Sequence, residues 1–325
     1  PYPYTMRTLL ALLCLATSTV AAEWQTLPAT GSPNVRHEAA FVAVGERLIL
    51  LGGRRIQPVD VFNPATATWT HGKAPEIEIH HFQPVVRDGK VWLVGAMSGR
   101  YPYERPLDHI PIYDPATDTW SRGPEVPADR RRGGAGAVLH GDTLYVVCGI
   151  TNGHWDGHVA WLDALDLKTG QWRRLPDAPR PRDHFQAAII GDKLYAVGGR
   201  RSSAATKETF NLVISEVDVF DLKTGTWSTL PASSNLPTPR AGSMTHAHGP
   251  WLIVIGGESH TQQAAHAEVE ALDTRSGEWK TWPALQRGRH GTGLAQIGNR
   301  LYTASGSGNR GGGPELDSVE AATLP

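Results

Sequence analysis

The sequence predicts an all-β fold, a six-bladed β-propeller closed by the N-terminal strand. Tryptophans recur roughly every 50 residues, a period typical of propeller blades. A pair of small residues ends an apolar run in each of six units. The 35 glycines and 24 prolines favour short strands joined by tight turns. The recurring positions are Trp69, Trp120, Trp172, Trp227 and Trp279, and Gly52-Gly53, Gly95-Ala96, Cys148-Gly149, Gly198-Gly199, Gly256-Gly257 and Ser305-Gly306.

Each repeat unit is predicted to form four strands. In the fourth unit these strands cover residues 184–190, 194–198, 215–221 and 226–230. A single four-stranded sheet leaves its faces and edges uncovered, so the repetition implies a closed ring of blades. The last unit supplies three strands, and residues 24–27 are expected to provide its fourth, which removes the exposed edge.

The first 22 residues have the pattern of an address signal. Arg7 precedes an apolar run over 9–16, and small residues at 20–22 offer a cleavage site. We therefore expect 1–22 to be an upstream extension and signal peptide, 23–325 to be a single propeller, and the location to be secreted or periplasmic. Cleavage would remove Cys14 and leave Cys148 alone, which excludes an internal disulfide.

Charge balance limits the partners that the chain attracts. Lys and Arg number 31 against 32 Asp and Glu, for a formal net charge of −1. Binding to nucleic acid depends on a clear basic excess, so we expect no nucleic-acid partner. No segment after the signal has the apolar run of about 18 residues that a membrane span needs. We also expect a monomer.

The repeat resembles the kelch motif. A glycine pair follows a strand, an aromatic residue then precedes Asp or Asn, and Trp and Pro follow; the aromatic step is seen at Tyr113-Asp114, Phe220-Asp221 and Phe62-Asn63. The resemblance covers nearly all of 23–325 in six copies. It implies the fold but not the function, because kelch propellers include enzymes, glycan-handling proteins and protein-interaction modules.

Loop lengths identify one face as the candidate binding surface. The loops between second and third strands are mostly long, whereas the other turns are short. In antiparallel blades these long loops emerge where each innermost strand begins, and binding residues concentrate on such loops. The long loops cover residues 97–109, 150–159, 200–214, 258–267 and 306–316.

Arginine recurs at a fixed distance before five of the six small pairs. Two interpretations stay open: the arginines brace the blades through carboxylates or carbonyls, or their planar guanidinium groups bind an anionic ligand. We assign them as candidate ligand-binding residues. They are Arg36, Arg132, Arg182, Arg240 and Arg289, with Ile79 at the corresponding position of the second unit.

The positions after these arginines are rich in histidine. Imidazoles oriented by carboxylates suit proton transfer near neutral pH, although a hydrogen-bonded structural role is the alternative. We assign as candidate catalytic residues His37, His80, His81, Asp183 and His184. His290 is assigned to ligand binding. With His37 and His80 it offers three imidazoles from adjacent blades for zinc, but no closely spaced ligand motif supports this and nearby arginines would repel a cation. We predict no metal and no cofactor.

Two aromatic residues on the long loops complete the candidate site. Tyr103 and Trp155 lie beside polar groups, which suits stacking on the apolar face of a sugar, although Trp155 has the alternative of packing its own loop.

Two functional hypotheses follow from these residues. The first is a secreted or periplasmic protein that binds, and in the catalytic version converts, an acidic sugar or oligosaccharide at the channel mouth. Its arrangement is similar to that of the periplasmic kelch mutarotases of sialic acid, and uronate lyases with propeller folds are a further precedent. The second is a noncatalytic module whose long loops bind a protein or a glycan. Whether the chain is an enzyme stays open at this stage.

Overall fold

The computed structural model describes residues 23–325 as six four-stranded antiparallel sheets, which confirms the predicted six-bladed propeller. The expected signal peptide lies outside the described residues. The first strand of each blade contacts the first strands of neighbouring blades, so these strands are innermost.

The strands of each blade run outward in chain order, except that the last blade takes its outer strand from the N-terminus. Blades 1 to 3 comprise Ala39–Val44, Arg47–Gly52, Asp60–Asn63 and Thr68–His71; Gln83–Arg87, Lys90–Val94, His109–Asp114 and Thr119–Glu125; and Gly136–His140, Thr143–Val147, Leu162–Asp166 and Trp172–Leu175. Blades 4 to 6 comprise Ala187–Ile190, Lys193–Ala196, Asp218–Asp221 and Thr226–Thr229; Met244–His248, Trp251–Ile255, Val269–Asp273 and Glu278–Trp282; and Leu294–Ile297, Arg300–Ala304, Val319–Thr323 and Gln25–Thr26.

Short elements occupy four of the connections between strands. Met97–Ser98 pairs with Arg105–Pro106, and Ile150–Asn152 pairs with Asp156–His158, so two long loops carry their own hairpins. Single 3₁₀ turns occupy Ala128–Arg130 and Ala232–Ser234. Among residues 23–325, no helix is long and apolar enough to cross a bilayer.

The N-terminal strand closes the ring as predicted. Gln25 lies opposite Ala321 in the antiparallel register, and the Leu27 backbone N–H donates to the Val319 carbonyl at 2.9 Å. The Trp24 side chain is buried in the cluster formed between blades 5 and 6. The N-terminal segment therefore completes the four-stranded sheet of blade 6.

Four of the five periodic tryptophans link their blade to the one before it through a hydrogen bond. Each packs against its own third strand, as Trp227 does on Phe220 with ring centroids 5.2 Å apart. Its indole N–H then donates to a backbone carbonyl near the end of the preceding blade. The donor and acceptor pairs are Trp120 with Lys73, Trp172 with Glu125, Trp227 with Pro176 and Trp279 with Ser234.

Replacing one of these indoles by phenylalanine tests the inter-blade hydrogen bond. Trp227→Phe removes the 2.8 Å bond to Pro176, whereas Trp69→Phe removes an indole N–H that has no hydrogen-bond partner among the described residues. Both tryptophans pack on a phenylalanine at about the same distance, 5.2 Å and 5.0 Å. We expect Trp227→Phe to cost about 1 kcal/mol more free energy of unfolding than Trp69→Phe, measured by denaturant titration. Equal losses would contradict this role.

The small pairs bring the backbone of adjacent blades together. The first member has a left-handed backbone, with φ of 65° at Gly198 and 63° at Gly256. The N–H of the second member donates to the next blade, as Gly257 does to the Arg289 carbonyl at 2.9 Å. A Cβ at Gly256 would lie only 2.3 Å from that carbonyl oxygen, so a larger residue has no room. In blade 3 the pair is Cys148-Gly149; Cys148 is a free, buried thiol, and burial raises its pKa to about 12.

Candidate functional site

The five recurrent arginines are buried structural braces. Arg182 is fully buried, and its Nη2 lies 2.5 Å from Asp218 Oδ2 of the same blade. Its Nη1 donates at 2.9 Å to the Gly198 carbonyl, 16 residues later, which explains the fixed spacing to the small pair. The corresponding ion pairs are Arg36–Asp60, Arg132–Asp163, Arg240–Glu270 and Arg289–Glu320. This geometry matches the bracing alternative. Their assignment to ligand binding is therefore corrected, because the guanidinium groups are enclosed and already paired.

Blade 2 replaces both members of this pair together. Ile79 stands at the arginine position, and Pro111 takes the place of the carboxylate. Pro111 precedes the pair Ile112–Ser121 in the register of blade 2, just as Asp218 precedes the equivalent pair Val219–Ser228 in blade 4. The exchange of a charged pair for an apolar pair avoids an unpaired buried charge.

A ring of backbone hydrogen bonds surrounds the propeller axis. Its members lie two positions after the recurrent arginines and, in blade 2, two positions after Ile79. We call its six members the collar: Glu38, His81, Gly134, His184, Gly242 and Gly291. The His81 N–H donates to the Glu38 carbonyl at 3.1 Å, and the same bond links the later members in turn, at 2.9, 2.9, 2.7 and 3.1 Å. The Gly291 carbonyl accepts from Ala39 at 3.1 Å, which closes the ring.

The collar has a left-handed backbone in every blade. Its three glycines have φ of 57°, 61° and 62°, and the other members, Glu38, His81 and His184, have φ of 54°, 54° and 53°. A non-glycine residue in this conformation costs about 1–3 kcal/mol, and such residues concentrate at functional sites. Three blades therefore bear a conformational cost to place a carboxylate and two imidazoles on this ring.

An open pocket of about 340 Å³ lies at the collar, and we call it the mouth pocket. Long-loop residues form much of its wall, including Tyr101, His154 and Phe210. The predicted long-loop face is therefore the face with the pocket. Its remaining side chains are His37, Glu38, Arg54, His81, Arg200, Thr209, Glu258 and His290. A smaller cavity of about 40 Å³ is lined by all six collar residues.

The buried charges around the mouth pocket are predominantly acidic. Arg54 pairs with Glu104 at 2.5 Å, and Arg200 pairs with Glu258. Asp183 and Glu38 are further buried or nearly buried carboxylates. Both arginines are thus neutralised, and two carboxylates remain beside the histidines.

Glu38 is positioned between imidazoles of blades 2 and 6. Its Oε2 lies 3.4 Å from His81 Nε2, and its Oε1 lies 3.7 Å from His290 Nδ1. Burial acts to raise the pKa of Glu38, but His290, His184 and His37 outweigh it and hold the pKa below its usual value. The carboxylate is therefore ionised at neutral pH and available to accept a proton.

The two collar histidines, His81 and His184, are each oriented by a hydrogen bond at Nδ1. His184 Nδ1 lies 2.5 Å from Asp183 Oδ1, and Asp183 also accepts from the backbone N–H and hydroxyl of Ser202 at 2.9 and 2.6 Å. His81 Nδ1 lies 2.7 Å from His80 Nδ1. Burial lowers the pKa of His80 to about 4 and that of His81 well below its ordinary value, so both are neutral.

The structure brings most of the predicted catalytic residues together. His37 and His81 line the mouth pocket, His184 belongs to the collar, and Asp183 and His80 support the collar histidines from behind. His290 also lines the pocket.

The zinc trio considered from sequence is not assembled. His37 Nδ1 lies 2.6 Å from Glu315, and His80 Nε2 faces the Gly99 carbonyl at 3.1 Å, so their nitrogens point to other partners. A different trio, His81, His154 and His184, has one nitrogen of each imidazole within 4.8 Å of the others.

Tyr103 and Trp155 lie outside the mouth pocket. Their rings pair with each other, 5.3 Å between centroids, and remain 62% and 38% exposed. Each is a close sequence neighbour of a residue that does line the pocket, Tyr101 and His154 respectively. Their assignment to ligand binding stays a prediction, for an exposed surface beside the mouth pocket rather than within it.

Several pocket residues were missed from the sequence. Arg54, Arg200 and Glu258 directly follow the small pairs of blades 1, 4 and 5. This position bridges to the one before the collar, as Arg200 does to Asp183, so the repeat held a signal for it. Glu104, the partner of Arg54, lies in the long loop of blade 2 at a position whose residue type does not repeat in the other blades, so no periodic signal marked it.

The fold and site together define a propeller with a histidine- and carboxylate-lined pocket at one mouth of its axis. A model of the KLHDC2/KLHL20/DRC7 Kelch-repeats domain matches residues 123–306, more than half of the chain. The chain belongs to the kelch-repeat family.

Relatives and a solved structure agree with this membership. The chain is 31% identical over 291 residues to the Kelch-like protein terF of Aspergillus terreus, covering 83% of this chain and 61% of that protein. It is 24% identical over 287 residues to acyl-CoA-binding domain-containing protein 5 of Arabidopsis thaliana, covering 82% and 41%. The chain thus spans less than two thirds of the length of these relatives. The structure of YjhT shares the fold, with a TM-score of 0.73 at 16% identity over 89% of this chain and 95% of that one.

Proposed function

We propose that this kelch propeller binds a small polyhydroxylated ligand of sugar size in the mouth pocket and exchanges protons with it. The observation that carries the proposal is the collar, where chemically active side chains replace glycine at strained positions. A volume of about 340 Å³ is in the range of small-molecule sites. The secreted or periplasmic location of the protein stays a prediction from the pattern of residues 1–22.

Glu38 is the proposed proton acceptor. Its carboxylate is ionised, faces two imidazoles and borders the mouth pocket. Tyr101 and Phe210 supply aromatic surface in the same wall, which suits the apolar face of a sugar ring. Interconversion of anomers requires removal of the proton of the anomeric hydroxyl and protonation of the ring oxygen as its bond to the anomeric carbon breaks; Glu38 would accept the hydroxyl proton and return it to the ring oxygen.

The charge of the pocket favours a neutral sugar over an acidic one. Arg54 and Arg200 are already held by Glu104 and Glu258, and the five recurrent arginines are enclosed within the blades. A ligand carboxylate would meet Glu38 without a free guanidinium beside it. We therefore change the ligand class expected from sequence, from acidic to neutral polyhydroxylated compounds.

A panel of neutral sugars and sugar acids tests this function. Binding is measured as a shift in melting temperature, and anomer exchange by NMR saturation transfer. We expect a neutral sugar to bind to the wild-type protein and to exchange its anomers faster with this protein than without it. Glu38→Gln should lower the rate of anomer exchange about 100-fold or more. His140→Gln changes a histidine with 40% side-chain exposure at the end of the innermost strand of blade 3, outside the mouth pocket; it is the matched control and should leave both unchanged. Absence of binding by every sugar would overturn the proposal.

Protein binding through the long loops is the second candidate function. The paired rings of Tyr103 and Trp155 are exposed on adjacent loops, and aromatic residues of this kind are enriched at protein interfaces. This candidate uses a surface outside the mouth pocket, so Trp155→Ala separates it from the sugar hypothesis.

A further inference from the structure

The three imidazoles of His81, His154 and His184 meet at the collar. The centroids of their rings are 4.9 Å apart for His81 and His154, 4.8 Å for His81 and His184, and 4.5 Å for His154 and His184. One nitrogen of each lies within 4.8 Å of the other two, and all three residues are buried. His154 reaches this point from the loop of blade 3, over the place where the collar has Gly134.

We propose that His81, His154 and His184 form a mononuclear site for a divalent first-row transition metal such as Zn²⁺. The site deepens the proposed function, on which it rests for the role of the mouth pocket. Three protein ligands leave a fourth position open for water or substrate, the arrangement of catalytic rather than structural zinc sites.

The hydrogen bonds of His184 and His81 leave the lone pair of each ring on Nε2, where it can bind a metal. Asp183 accepts from His184 Nδ1, so the lone pair of that ring is on Nε2, which is buried and has no hydrogen-bond partner among residues 23–325. His80 donates through Nε2 to the Gly99 carbonyl, so its Nδ1 accepts from His81 Nδ1. His81 Nε2 therefore also has its lone pair free.

One candidate ligand is hydrogen-bonded to a carboxylate, a second is hydrogen-bonded to a neighbouring imidazole, and the third has a carboxylate in ion-pair contact. Asp183 supports His184, His80 supports His81, and Glu104 Oε1 lies 2.9 Å from His154 Nδ1. Carboxylates that accept from the distal N–H fix the ring and increase its basicity as a ligand.

The surrounding charge also favours a cation. Arg54 and Arg200, the arginines that line the mouth pocket, are each paired with a glutamate, while Asp183 is an additional buried carboxylate and Glu38 a nearly buried one. Glu38 lies 3.4 Å from His81 Nε2, so it would stand next to a metal-bound water and accept its proton. The repulsion by arginines that argued against a metal from sequence is thus cancelled by their own partners.

Metal titration of the untagged, chelator-treated chain tests this site. We expect one Co²⁺ or Zn²⁺ per chain by elemental analysis, with Co²⁺ giving the visible absorption of a tetrahedral site. His154→Gln should weaken the affinity about 100-fold or more, and Asp183→Asn about 10–100-fold. His158→Gln, which changes a partly exposed histidine of the same loop, is the matched control and should bind as the wild type does.

The outcomes separate this inference from the proposed function. Binding that is equal in the wild type and His154→Gln, or an equal loss in His158→Gln, would overturn the metal site. Melting curves of the metal-free variants show whether a loss of affinity comes from misfolding. Asp183→Asn gives a second, independent measurement of metal affinity. Because no sugar is present, a negative sugar panel does not affect this test. Absence of metal binding does not affect the sugar panel.

Discussion

Arg182→Ile is expected to destabilise the propeller strongly, by about 3–5 kcal/mol in the free energy of unfolding. The arginine is fully buried and pairs at 2.5 Å with Asp218, which is also fully buried. Removing the guanidinium leaves the enclosed carboxylate with only the longer contact to Arg180, at 3.5 Å, and the Thr229 hydroxyl, and the hydrogen bond to the Gly198 carbonyl is lost as well. Denaturant titration followed by tryptophan fluorescence measures the loss.

Blade 2 provides the matched control for this prediction. It has Ile79 and Pro111 where blade 4 has the ion pair, so an apolar pair is compatible with the blade. We expect Arg182→Ile combined with Asp218→Val to lose clearly less stability than Arg182→Ile alone. A double variant that is less stable than the single one would show that the brace acts through something other than charge pairing.

Glu38→Gly is expected to remove function while leaving the fold at least as stable. Glycine tolerates the φ of 54° at this position, so the change relieves strain of about 1 kcal/mol or more. The same change removes the carboxylate proposed as proton acceptor, and we expect sugar conversion to fall about 100-fold or more. Unfolding titrations and exchange rates measured on the same preparation test both parts.

The reverse substitution at an equivalent position is the control. Gly242 has φ of 61°, and a Cβ there would meet His290 at 3.3 Å. Gly242→Ala should therefore lower the free energy of unfolding by about 1 kcal/mol. A loss of several kcal/mol in Glu38→Gly would instead mean that the glutamate is a structural element of the collar.

The repeat made most of the fold predictable from the sequence. The closing strand corresponds to the pairing of Leu27 with Val319 within blade 6. The tryptophan period and the small pairs correspond to contacts between neighbouring blades, from the indole of Trp227 to the Pro176 carbonyl and from the N–H of Gly257 to the Arg289 carbonyl. Such contacts must recur in every blade, so they leave a periodic trace.

The candidate site was only partly predictable, because function depends on departures from the repeat. Sequence periodicity located the arginines but did not separate bracing from ligand binding, which depends on the carboxylate Asp218 lying opposite Arg182 in three dimensions. His154 and Glu104 lie on long loops whose residues do not follow the repeat. The meeting of His154 with the two collar histidines depends on loop conformation that spacing does not encode.

A crystal structure of the protein with the sugar that gives the largest melting shift tests the central claim most directly. Our account predicts electron density for the sugar in the mouth pocket, against Tyr101 and Phe210 and within hydrogen-bonding distance of Glu38. Density on the exposed rings of Tyr103 and Trp155, with the mouth pocket filled only by water, would contradict it.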